Sequence, residues 1–164
     1  SVRQVAARGL AGVAAARSDD IAAVCVAALA EVGALDESEG VAKVVGDSLL
    51  ELWSARGDLG EACVAGLAEQ LRSRKAAVAL LAAERLGAIA AMASSEAAIA
   101  ALRHGMADPR SEVSDAAAAA LSSSAEGREA LRATVLGGEA ADMRRAAASA
   151  LAAVMVRQPA PADA

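Results

Sequence analysis

One helical stripe occurs five times in this chain, and that repetition limits the possible folds more than any other feature. In residues 78–91, VALLAAERLGAIAA, the apolar positions are Val78, Leu81, Ala82, Leu86 and Ile89. This i, i+3, i+4 spacing gives an amphipathic helix, with Glu84 and Arg85 read as its outer side. The same frame, an apolar residue eight positions before a Leu, recurs at Val2/Leu10, Val41/Leu49, Val113/Leu121 and Met143/Leu151. Small residues sit four and five positions in: Ala6-Ala7, Ala82-Ala83, Ala117-Ala118 and Ala147-Ala148, with Val45-Gly46 in the second copy. The steps are 39, 37, 35 and 30 residues. A period of that size predicts stacked helical hairpins.

A second series interleaves with the first. Residues 63–69, CVAGLAE, copy residues 25–31, CVAALAE, at a step of 38. Ala98 to Leu102 follows 35 further on, and Leu131 is the next equivalent. Two series whose steps shrink together define two alternating helix types. The punctuation between them predicts a helix over 21–32 ended by Gly33 as a left-handed C-cap. Capping boxes are expected at 36–39 and 58–61, with Asp36 and Asp58 as N-caps and Gly57 closing the helix between. Asp108 reads as a cap with Pro109 at the first helical position. Ser122, Ser123 and Ser124 read as a linker and Gly137-Gly138 as a turn before a last helix over 140–156.

The pattern resembles HEAT and armadillo repeats. The matching residues are Val2-Arg3 with Ala6-Ala7 and Leu10, Val78 with Ala82-Ala83 and Leu86-Gly87, Asp108-Pro109 with Val113, Ala117 and Leu121, and Met143-Arg144 with Ala147 and Leu151. The resemblance implies an all-α fold, a right-handed α-solenoid of about four and a half hairpins over residues 1–156, followed by a flexible tail over 157–164. It implies a non-catalytic protein–protein interaction scaffold, or one solenoid segment of a larger assembly, in an intracellular and cytoplasmic setting. The Asn and Trp ladder with which nuclear-import armadillo adaptors capture peptides is missing. The alternatives are an accessory subunit of an enzyme, as in the HEAT-repeat bilin lyases, and an RNA-binding helical repeat. The first would need polar groups around a large cofactor, and only Arg85 and His104 are available. The second would need a basic face with stacking residues, yet the net charge is −5 and Trp53 is the only aromatic residue.

No residues assemble into a catalytic, cofactor or metal motif. His104 is the only His and falls near a helix C-terminus, where the dipole favours it. Cys25 and Cys63 occupy the same slot in successive helices and read as small buried thiols, not as a disulfide. Serines without a His base are not nucleophiles. Uncharged runs stop at about ten residues, whereas a membrane span needs about 20, so no membrane role is expected.

In such arrays the first helix series lines the concave face. By register its exposed residues are Arg3, Gln4, Arg8, Lys43, Asp47, Glu84, Arg85, Asp115, Arg144 and Arg145. The charge is positive at both ends and negative in the middle. A uniform polyanion would be repelled there, and a protein segment of patterned charge would not. Trp53, near the end of its helix, either packs beside small residues or is an exposed anchor for a partner. Val2, Val5 and Leu10 have no preceding helix to cover them, so this end is expected to dock onto missing chain or another subunit.

Overall fold

The structure, a computed structural model, describes residues 1–36, 38–137 and 139–157. Among these the protein is all-helical, without strands. The helices are α1 (Val2–Ala16), α2 (Asp19–Leu35), α3 (Glu39–Ala55), α4 (Gly60–Leu71), α5 (Ala76–Ala93), α6 (Glu96–Gly105), α7 (Ser111–Leu121), α8 (Ala125–Leu136) and α9 (Ala141–Arg157). A short 3-10 turn, Gly57–Leu59, precedes α4. The first series occupies the odd-numbered helices and the second the even-numbered ones. Each helix packs on its neighbours in sequence. The odd helices also pack on one another in order, as do the even helices. The expected flexible tail lies, beyond Arg157, outside the described residues.

The repeated positions form the core. Val41, Val78 and Val113 are buried, as are Leu49, Leu86 and Leu121 eight residues on. Leu29, Leu67, Leu102 and Leu131 bury the matching position of the even helices. Each such Leu contributes roughly 1.5–3 kcal/mol by leaving water. The alanines matter differently, by letting helices approach. At Gly87 on α5 a Cβ would stand 2.8 Å from the Ala120 Cβ of α7. The pattern fades at the ends: Leu10 and Leu151 are half-buried, and Val2 is 86% exposed where Val78 is 2%.

Several helix boundaries differ from expectation, each for a local reason. Gly33 does not end α2 in a left-handed turn. It is helical and buried, and a Cβ there would lie 2.1 Å from Gln70 Nε2, so packing selects the glycine. Gly57 starts the 3-10 turn, and the left-handed C-cap belongs instead to Ser94 at the end of α5, with φ 47°. Asp36 is not the N-cap of α3. Its Oδ1 accepts from the Ser38 backbone N–H at 2.7 Å, which makes an Asx turn, and Ser38 takes the cap position. Asp108 does the same for Arg110 at 2.9 Å, so α7 starts at Ser111 and Pro109 lies in the turn. Ser73 repeats the arrangement on Lys75 at 3.2 Å. Asp36, Ser73 and Asp108 each stand five residues before the buried Val41, Val78 and Val113. One turn geometry therefore recurs before three odd helices.

Asp58 does not cap α4 but chelates a guanidinium. Arg56 Nε and Nη2 donate to its two oxygens at 2.9 and 2.7 Å, which holds the Asp58 carboxyl below its usual range. The remaining Arg56 nitrogen donates to the carbonyls of Ala14 and Arg17, tying the end of α3 to that of α1. Arg110 likewise clamps Asp108, whose carboxyl is lowered mainly by that hydrogen bond, and reaches the Arg74 carbonyl at 3.1 Å.

Candidate interaction surface

The odd helices share an exposed face, and helical geometry decides which residues belong to it. Two and six residues after the first apolar position the chain has turned away from the core. Lys43, Asp115 and Arg145 occupy the first of these positions, and Arg8, Asp47 and Glu84 the second; all six are exposed. Seven residues after it, the helix has returned to within about 20° of its starting direction. That position is Ser48 on α3, Arg85 on α5 and Ala150 on α9, and all three are buried.

Arg85 is therefore the main correction to the expected face. It is 6% exposed, not displayed to a partner. Its Nε donates to Asp47 Oδ1 at 3.1 Å, Nη1 to the Leu81 carbonyl at 2.8 Å and Nη2 to the Lys43 carbonyl at 3.3 Å. Gly46 makes room for it: a Cβ there would stand 2.9 Å from Arg85 Nε and 3.0 Å from Gln70 Oε1. Gln70, 1% exposed, bonds the Ala42 carbonyl. A buried polar bridge thus joins α3, α4 and α5. Its sequence signal was the odd Val45-Gly46 pair in the second copy, which leaves space where the other copies have two alanines.

The other expected residues are placed as follows. Arg3 is exposed but tied to Asp36 at 2.7 Å. Gln4 accepts from the N-terminal ammonium at 2.7 Å. Arg145 pairs with Asp115 across α9 and α7 at 3.2 Å, with both side chains about half exposed. Arg144 is exposed beside it. Arg8, Lys43 and Glu84 make no ion pair among the described residues. Trp53 is half-buried and packs against the core beside Gly60, where a Cβ would meet its indole at 3.6 Å. His104 is exposed in the last turn of α6. Cys25 and Cys63 are buried and free, and burial pushes the Cys63 thiol up to about 11.

Among the described residues no group of three or more His, Cys, Asp or Glu side chains is placed to hold a metal ion. Helix α5 is long and apolar enough to cross a membrane by length and composition, with a mean hydropathy of 1.7. Half of it is buried against the rest of the protein, which is how the central helix of a packed core looks. Comparison with family models, curated proteins and solved structures found no match to this chain.

Two grooves cross this face. One, between α5 and α7, is floored by Gly87, Ala116 and Ala120, with Glu84 at its rim. The other, between α1 and α3, is more varied. Arg8, Ala11, Gly12 and Ala15 form one wall, and Val44, Asp47, Ser48 and Glu51 are on the other. Glu51 and Ser48 were not in the expected set, although Glu51 lies one turn beyond Asp47 in the same exposed register.

Proposed function

We propose that this chain is a right-handed solenoid of HEAT/armadillo-like hairpins and that it acts as a non-catalytic protein-interaction scaffold or as a segment of a larger assembly. The observation that carries this reading is the recurrence of one unit. The same side-chain-capped turn precedes α3, α5 and α7, and each turn is followed by the same buried Val and Leu. Repeating a unit in this way builds a long face and no enclosed pocket. On that face small residues and charges of both signs alternate, which suits a protein partner of patterned charge and not a polyanion. The end formed by α1 offers a second docking surface for another subunit, since Val2 and Val5 are 86% and 68% exposed. Free buried thiols fit an intracellular location.

The test is recovery of bound protein from cell extract by the full chain, at low and high salt, with and without Arg144→Glu and Arg145→Glu. Both arginines are exposed, so the fold should persist. The expected result is a stoichiometric partner lost with the double variant and weakened by salt. Equal recovery by both proteins would remove the odd-helix face from the interaction. Tight RNA binding by the parent would remove the partner class.

A further inference from the structure

The groove between α1 and α3 has a chemistry that the rest of the face lacks. Its α1 wall carries a cation, Arg8, and its α3 wall carries two carboxylates, Asp47 and Glu51. Neither Arg8 nor Glu51 has an ion-pair partner among the described residues. Asp47 is held from below through Oδ1 by the buried Arg85, which leaves Oδ2 without a partner and fixes the side chain in place. Between the walls the α1 side is stripped to Ala11, Gly12 and Ala15, and a Cβ added at Gly12 would meet nothing within 4 Å. Ser48 is 5% exposed and lines this groove, and its hydroxyl makes no hydrogen bond to another described residue. Among the described residues no buried side-chain polar atom lacks a partner, so this hydroxyl reaches solvent in the groove.

We infer that this groove binds a protein segment that sets an acidic residue against Arg8, a bulky apolar residue in the notch at Gly12, and a Lys or Arg between Asp47 and Glu51. The inference rests on the scaffold reading above and narrows it to one site and one partner chemistry. The two walls are opposite in sign, so a segment of uniform charge is favoured by one and repelled by the other. A segment that carries both an acid and a base close to an apolar residue satisfies both. The Ser48 hydroxyl is then free to meet the segment's backbone. The carboxylate anchored by Arg85 needs little ordering on binding, which lowers the entropic cost of the contact.

A displayed library of random dodecapeptides, selected on the full chain, tests this directly. The enriched peptides should share an acid, a bulky apolar residue and a base within a few positions of one another. They should bind Gly12→Leu at least tenfold more weakly, because the new side chain fills the notch from an exposed helix face. Arg8→Glu, which leaves only carboxylates as the charges on the two walls, should enrich peptides that keep the base and lose the acid. Circular dichroism of each variant separates loss of binding from loss of fold. If Gly12→Leu misfolds, the charge reversal at Arg8 still decides, since that residue is exposed. Enriched peptides without both charges, peptides that bind Gly12→Leu as tightly as the parent, or no enrichment at all would each overturn the groove assignment. A partner still captured through Arg144 and Arg145 would in those cases leave the broader scaffold reading standing.

Discussion

Replacing Arg85 is the sharpest test of the packing described above, because its burial depends on one turn of helix phase. The guanidinium makes four hydrogen bonds at 2.5 to 3.3 Å and is 6% exposed. A hydrogen bond to a charged group is worth about 1.5–3 kcal/mol net. Removing one partner of a buried pair costs about 3–5 kcal/mol when the other charge stays buried. Here the Asp47 side chain is 50% exposed and regains water, which lowers the cost. Loss of the packed aliphatic stem raises it again. Arg85→Ala should therefore destabilise the protein by about 2–4 kcal/mol. Arg85→Met keeps the stem and leaves behind helical carbonyls and the half-exposed Asp47 carboxylate, so it should cost about 1 kcal/mol. Urea titration followed at 222 nm and by the fluorescence of Trp53, which shares α3 with Asp47, measures both. An Arg85→Ala change within about 0.5 kcal/mol of the parent, the range of an ordinary surface substitution, would mean that the guanidinium is solvated and the bridge absent.

Three further outcomes follow from the same packing. Leu86→Ala, at a fully buried position of α5, should cost about 2–5 kcal/mol in the same titration. Two glycines should respond with opposite signs: Gly12→Ala stabilises by about 0.5–1 kcal/mol in an open helix interior, while Gly127→Ala destabilises by about 1–3 kcal/mol because its Cβ would stand 2.0 Å from the Leu121 carbonyl oxygen. The Cys63 thiol, raised from 9.0 to about 11 by burial, keeps its proton in the fold after the unfolded chain has lost it. Stability should then fall as pH rises from about 9 to 11, by on the order of 1–3 kcal/mol. Denaturant midpoints for the parent and Cys63→Ala measure this, and an equal slope for both would refute it.

The helices and their core were legible in the sequence because the repeat was sampled several times. Leu49, Leu86 and Leu121 could each be checked against the others, and all are buried. The turns were harder to read. Asp36, Asp58 and Asp108 carry the residue type of an N-cap, but an Asx turn or an arginine clamp uses the same carboxylate, and the choice depends on the partner's position in space. Gly33 was misread for a related reason, since a missing side chain can serve backbone freedom or a neighbour's space, and Gln70 is distant in sequence. Exposure was legible at Lys43, Asp115 and Arg145, two positions into the frame, and at Arg8, Asp47 and Glu84, six positions in, but Gln4, also two positions in, is half-buried. It failed at Arg85, where charge was allowed to outweigh helix phase. The groove between α1 and α3 was half visible: Arg8 and Asp47 were in the expected set, while Ser48 and Gly12 carry no signal until two helices are laid side by side.

Packing confined to helices one or two apart in the chain also bears on how the protein forms. Few contacts require distant stretches of backbone to meet, so loop closure costs little entropy and the relative contact order is low. Chains of that kind collapse in microseconds to milliseconds. A nucleus can arise at any adjoining pair of helices and grow outward in both directions. The best-buried stretch, α3 to α7, would then be the last to open and the first to re-form, with the outer helices zipping on and off it.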